Sequence, residues 1–162
     1  MPEAVQFHLL WPEFLVAGLA FLVFTVDFVL PSSRSNWLAG LAAAGLAVIA
    51  LVAIPGLWSV DEQMFDGLLQ IDRYAVLLKL LFLGLGVIVI LSSAEFVQKN
   101  LTHPGEFFAL IILSVLATML LCSSSELLTA YISLELLSFT LYVLASYARS
   151  NPKSNEAGVK YI

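Results

Sequence analysis

In the stretch YISLELLSFTLYVLASY, residues 131–147, a single carboxylate stands in the middle of an otherwise apolar run. An acidic side chain at the centre of a membrane-spanning helix costs about 2.5–3.5 kcal/mol to insert, so it normally faces protein or water and has a partner or a proton. Glu135 is therefore the residue whose type and setting point most directly to chemistry. At 100° per residue, Tyr131, Ser138, Tyr142 and Ser146 fall within about 60° of Glu135 on the helical wheel, which gives one polar stripe down the helix. Such a stripe suits a hydrated, proton-conducting interior, where desolvation and a cationic partner compete for the charge state of the carboxyl. The bland alternative is a protonated or paired Glu that glues two helices together.

Other chemistries find little support. The chain has one cysteine, Cys122, inside an apolar run, and two histidines, His8 and His103, so neither a disulfide nor a metal or haem ligand set is expected. There is no GxSxG, no HExxH and no glycine-rich phosphate loop, and no catalytic residue is expected on this polypeptide. Ser123, Ser124 and Ser125 read as a tight turn that caps the following helix, not as nucleophiles.

The elements that position these residues follow from composition. Of 162 residues, 60% are hydrophobic and 12% charged, with a mean hydropathy of +0.97, which is the profile of an integral membrane protein. The net charge is −5, and the acids gather in one loop and at segment ends, so nucleic acid is excluded as a partner. Glu3 and Glu13 replace the basic start of a signal peptide, so the first apolar run is expected to be retained. A bilayer core of roughly 30 Å needs about 20 apolar residues as a helix, and five runs meet that length: 9–30, 37–57, 74–96, 106–123 and 126–147. A sixth helix is expected to begin at 155 and to be cut at 162, and residues 1–162 form one transmembrane domain. The fold class is thus all-α, a polytopic transmembrane bundle of five complete helices plus the start of a sixth. All six prolines lie outside these runs or near their ends.

Orientation follows from basic residues in short loops. Arg34, Lys99, Arg149 and Lys153 lie on one side, whereas the other has Arg73 among Asp61, Glu62, Asp66 and Asp72, so the N-terminus is expected outside. The Asp66-Gly67 pair in MFDGLLQI signals a type I′ hairpin between the second and third helices. Gly40, Ala44 and Ala47 of the second run read as a close-packing face. Lys79 is expected to snorkel to the outer surface, Asp27 to anchor or pair locally, and Glu13, Glu95, Glu106 and Glu126 to be rim charges at helix ends. Trp11, Trp37, Trp58, Tyr74 and Tyr147 form an interfacial belt.

The run LELLSFTLYVLASY, a short basic loop and then EAGVKYI closely resemble the antiporter-like subunit N, or subunit 2, of the proton-pumping NADH:quinone oxidoreductase, complex I. FDGLLQIDRYAVLLKLLF and EFFALIILSVLATMLLCSSSELLTAYISLE are similar to the same family in order and spacing. The resemblance covers essentially the whole chain and is weakest in the first helix. It implies a fourteen-helix antiporter-like fold of two inverted five-helix repeats with both termini outside. In the family the Glu of the ELLS motif, matched by Glu135, pairs with a Lys on a later helix. Lys160 matches the Lys of an EA-x-x-KY pattern and is a second candidate for proton translocation. The chain ends before the later lysines of that fold, so a piece of a longer gene product or a truncated reading frame is expected.

The function implied is that of a membrane subunit coupling electron transfer from NADH to quinone to proton translocation. It would have no redox centre of its own, with NADH, FMN, iron–sulfur clusters and quinone in partner subunits. Its partners would be the other membrane subunits and the lipid bilayer, and its place the bacterial plasma membrane. Two alternatives remain: a subunit of a multisubunit cation/proton antiporter, and a non-transporting scaffold fragment.

Overall fold

A computed structural model of the chain describes residues 7–29, 35–101, 103–148 and 152–161. Arg34 and Arg149, on which the expected orientation partly rests, lie outside them. The long elements are α1 (Trp11–Val29), α2 (Ser35–Val52), α3 (Arg73–Asn100), α4 (Pro104–Ser123) and α5 (Leu127–Ala145), followed by the shorter α6 (Pro152–Tyr161). Five helices are long and apolar enough to cross a membrane, which makes this a multi-pass membrane protein of the all-α class. Proline marks two of the helix starts. Pro104 opens α4 and Pro152 opens α6, where the missing N–H has no intrahelical partner to lose. The sixth helix therefore begins three residues earlier than 155. The third extends past 96 to Asn100, where the Lys99–Glu95 pair, one turn apart at 2.6 Å, supports the last turn.

Successive long helices alternate in direction, so the starts of α1, α3 and α5 share one end of the bundle with the finishes of α2 and α4. That end carries an antiparallel hairpin, β1 (Glu62–Met64) and β2 (Leu69–Ile71), with Met64 opposite Leu69. Asp66 and Gly67 both have positive φ, and the Leu68 N–H donates to the Phe65 carbonyl across them, as a type I′ turn requires. Phe65 is left-handed as well, which lengthens the loop to the four residues 65–68. Just beyond β2, the Asp72 carboxylate accepts the Ala75 N–H at 2.7 Å and caps α3.

Helix α4 is the centre of the bundle and packs against α1, α2, α3 and α5. Its buried residues include Phe108, Ile112, Ala117 and Met119, all fully enclosed, and they occupy more than one face of the helix. Small residues do let helices approach, but not the ones singled out from the sequence. Gly40 and Ala44 of α2 are exposed and Ala47 is half-buried, while Ala39, Ala42, Ala43 and Leu46 form the buried face. Hydropathy is near-uniform around α2, so composition carries no phase, and neighbouring helices choose the face. Glycines make the close approaches: a Cβ on Gly45 of α2 would lie 2.5 Å from Leu19 Cδ1, and one on Gly86 of α3 would lie 2.7 Å from Val115 Cγ2 and 3.1 Å from Leu46 Cδ1.

Gly86→Ala should accordingly lower thermal stability in detergent by about 1–3 kcal/mol through overpacking. Gly84→Ala, at an exposed site with no heavy atom within 4 Å of the new Cβ, should be tolerated. Unfolding followed by circular dichroism on the two variants checks the pair.

Candidate functional site

Helix α5 sits at the edge of the bundle, packed on α4 and α6. Its buried residues are Ser133 and Thr140, whose hydroxyls donate to carbonyls of their own helix, at Thr129 and Leu137. Both lie about 140–160° around the helix from Glu135. The inward face is thus nearly opposite the carboxylate. Glu135 is exposed on the surface of the described bundle, as is Tyr131, while Ser138, Tyr142 and Ser146 are half-buried. None of the three ion pairs among the described residues includes Glu135. Ser146 lies just past the end of α5, where its hydroxyl bonds to the Tyr142 carbonyl at 3.1 Å.

The two halves of the stripe differ because α6 crosses one of them. Tyr161 meets Tyr142 edge-on at 5.2 Å, and a Cβ on Gly158 would fall 2.6 Å from that of Ser146, so α6 lies close against the end of α5. The Tyr131–Glu135 half stays open. Lys160 is on α6 but is engaged elsewhere, with Glu156 one turn away at 2.6 Å on an exposed face. The structure therefore brings Tyr142 and Ser146 together with α6, and it does not bring Lys160 to Glu135.

At the end of the bundle remote from the hairpin, three helices are tied by polar side chains. His103, at the N-cap of α4, offers no side-chain cap, and Pro104 has no N–H. The next two backbone N–H groups, of Gly105 and Glu106, face the Asp27 carboxylate near the end of α1. Asp27 thus places a carboxylate at the N-terminus of α4 from another helix, where negative charge is favoured. Gly105 permits the approach, because any Cβ there would occupy the space of the Asp27 side chain. From the end of α5, the Tyr147 hydroxyl reaches the His103 carbonyl at 2.8 Å and Glu106 Oε2 at 2.9 Å. Glu106 is thereby bonded to another helix and is not simply a rim charge. A groove of about 420 Å³ between α1, α4 and α5 has apolar walls, including Ala17, Phe21 and Leu113, and carries Glu106, Ser146 and Tyr147 among its lining residues.

Two further sequence expectations are overturned at the hairpin end. Lys79 does not snorkel outward and Glu13 is not a rim charge. Lys79 Nζ lies 2.6 Å from Glu13 Oε1, with the side chains 0% and 5% exposed. The contact is at ion-pair distance but off the line of a hydrogen bond, and neither Nζ nor either carboxylate oxygen has a hydrogen-bond partner among the described residues. Met64 and Ile71 of the hairpin are fully enclosed at the same end of the bundle, and Leu9, Leu10 and Leu57 are buried there. Each residue alone resembles a helix-end charge. The missed signal was that opposite charges occupied corresponding depths in two helices that start at the same end. The serine turn also behaves differently from expectation. Glu126 is the N-cap of α5, while Ser124 bridges Leu69 and the Ser125 N–H donates to the Leu68 carbonyl, so the turn is bound to the hairpin.

Comparison with known proteins gives a consistent result. Residues 124–162 match the family model described as NADH:quinone oxidoreductase/Mrp antiporter, TM. Proteins named NADH-quinone oxidoreductase subunit N are similar over almost the whole chain. The one from Geobacillus kaustophilus is 39% identical over 93% of this chain and 31% of its own length. Those from Desulfitobacterium hafniense and Trichlorobacter lovleyi are 34% and 29% identical over 97% and 98% of the chain, and 32% of their own length in each case. The chain spans about a third of the length of these curated relatives.

Asp27→Ala should destabilise the α1–α4 junction by about 1 kcal/mol, the usual cost of a lost N-cap. Asp27→Asn, which keeps an acceptor oxygen, should retain most of the wild-type stability. Thermal unfolding of the detergent-solubilised variants distinguishes loss of the acceptor from loss of the charge.

Proposed function

We propose, from the chain's membership of the NADH-quinone oxidoreductase subunit N family, that it is part of a membrane subunit coupling electron transfer from NADH to quinone to proton translocation. NADH, FMN, iron–sulfur clusters and quinone are assigned to partner subunits, and the other membrane subunits of the complex are its neighbours. The bacterial plasma membrane is the proposed setting, with the hairpin end outside. Lys99 and Lys153 at the opposite end, against Arg73 alone in the loop at this one, support the orientation by the positive-inside rule.

The observation that carries the reading is the direction of Glu135. It lies within the segment that matches the family model, on the face of α5 turned away from the described bundle. An intramembrane carboxylate so placed is available to another helix or subunit. In the proposed mechanism Glu135 gains and loses a proton, or changes its pairing with a Lys on a further helix, in step with signals from neighbouring subunits. Tyr131 and Ser138 of the same stripe supply hydroxyls that can pass a proton or hold water beside it. The family description also names antiporters, so a cation/proton antiporter subunit is the alternative. Coupling to NADH oxidation separates the two.

Glu135→Gln in the full-length subunit should leave the complex assembled but abolish or uncouple its proton pumping. Proton uptake by membrane vesicles during NADH oxidation, with assembly followed on native gels, measures both. Wild-type pumping in an assembled variant would reduce Glu135 to helix glue.

A further inference from the structure

The Glu13–Lys79 pair has features that stability does not account for. Two charges withdrawn from water are repaid only when geometry is good and further hydrogen bonds satisfy the remaining lone pairs and protons. Here the contact is off-line and those further partners are absent among the described residues. Apolar side chains of similar size would fill the same space without that desolvation. By contrast, the Glu95–Lys99 and Glu156–Lys160 pairs are exposed, one turn apart on a single helix, and need no such account.

The helices joined are also informative. α1 packs mainly on α4 and less on α2, and α3 packs on α2 and α4, while α1 and α3 scarcely meet. Lys79 therefore reaches across the bundle to Glu13, and breaking the pair would leave the principal helix contacts in place. Lys79 is six residues from the start of α3, about 9 Å along the axis. Cys122 of α4 lies within electrostatic reach of Lys79 and belongs to the same surroundings.

We propose that Glu13 and Lys79 form a second protonatable site of ion translocation, at the hairpin end of the bundle and separate from Glu135. This rests on the translocation reading above. A proton arriving from the bundle interior bonds to Glu13 Oε1 and neutralises the carboxylate, which releases its hold on the Lys79 ammonium. The Oε1–H bond then breaks toward water on the hairpin side, the pair re-forms, and Lys79 keeps its three protons throughout. One proton enters and one leaves.

The test uses the full-length subunit in assembled complex, with Glu13→Gln, the apolar double variant Glu13→Leu/Lys79→Met, and Glu135→Gln alongside. Native gels report assembly, quinone reduction reports electron transfer, and vesicle acidification reports protons moved per NADH oxidised. The expected result is normal assembly and electron transfer in both pair variants, with a loss in protons per NADH. A wild-type ratio in the double variant, with Glu135→Gln impaired, overturns the second site and leaves the translocation reading standing. Wild-type ratios in all three variants remove both. Failure of both pair variants to assemble assigns the pair to packing and likewise overturns the proposal.

Discussion

The first N–H groups of a helix have no partner within it, and the structure depends on what stands beside those of α4. Its own N-cap contributes nothing from the side chain, and the carboxylate facing its first turn is Asp27 of α1. Because that carboxylate belongs to a neighbour, the start of α4 is tied to α1 and, through Tyr147, to α5. The other end of α4 is held by the Ser124 bridge to the hairpin. With both ends tied, α4 can serve as the central element against which four other long helices pack.

Much of this architecture is legible in the sequence. Runs of apolar residues locate the five spans because the thickness of a bilayer sets their length, and Asp66-Gly67 announces the hairpin because few residues accept positive φ in succession. What is not legible is azimuth. In a soluble helix the polar face marks the outside, but in α2 almost every residue suits either lipid or protein. Ala39 and Ala43 could not be told from Gly40 and Ala44 without the neighbours. The same limitation hid the burial of Lys79, whose partner is 66 positions away in the chain and on a helix that barely packs against its own.

The polar stripe shows how a pattern can be present while its setting is not. Tyr131, Glu135, Ser138 and Tyr142 share one side of α5, as helical periodicity requires. Sequence alone suggested that this side faces a protein interior. The five spans present it on their outer surface, with α6 covering only the Tyr142–Ser146 end. Intrahelical bonds of Ser133 and Thr140 explain why the opposite, inward face tolerates hydroxyls: both are satisfied before packing begins.

The hairpin has a mechanical consequence. Its second strand leads directly into the N-cap of α3, and the same strand is bonded through Leu69 to the turn that opens α5. α3 carries Lys79 and α5 carries Glu135, so the two charged helices are suspended from one small piece of β-structure. The two helices thus share one anchor at the hairpin end, without a direct contact between their charges.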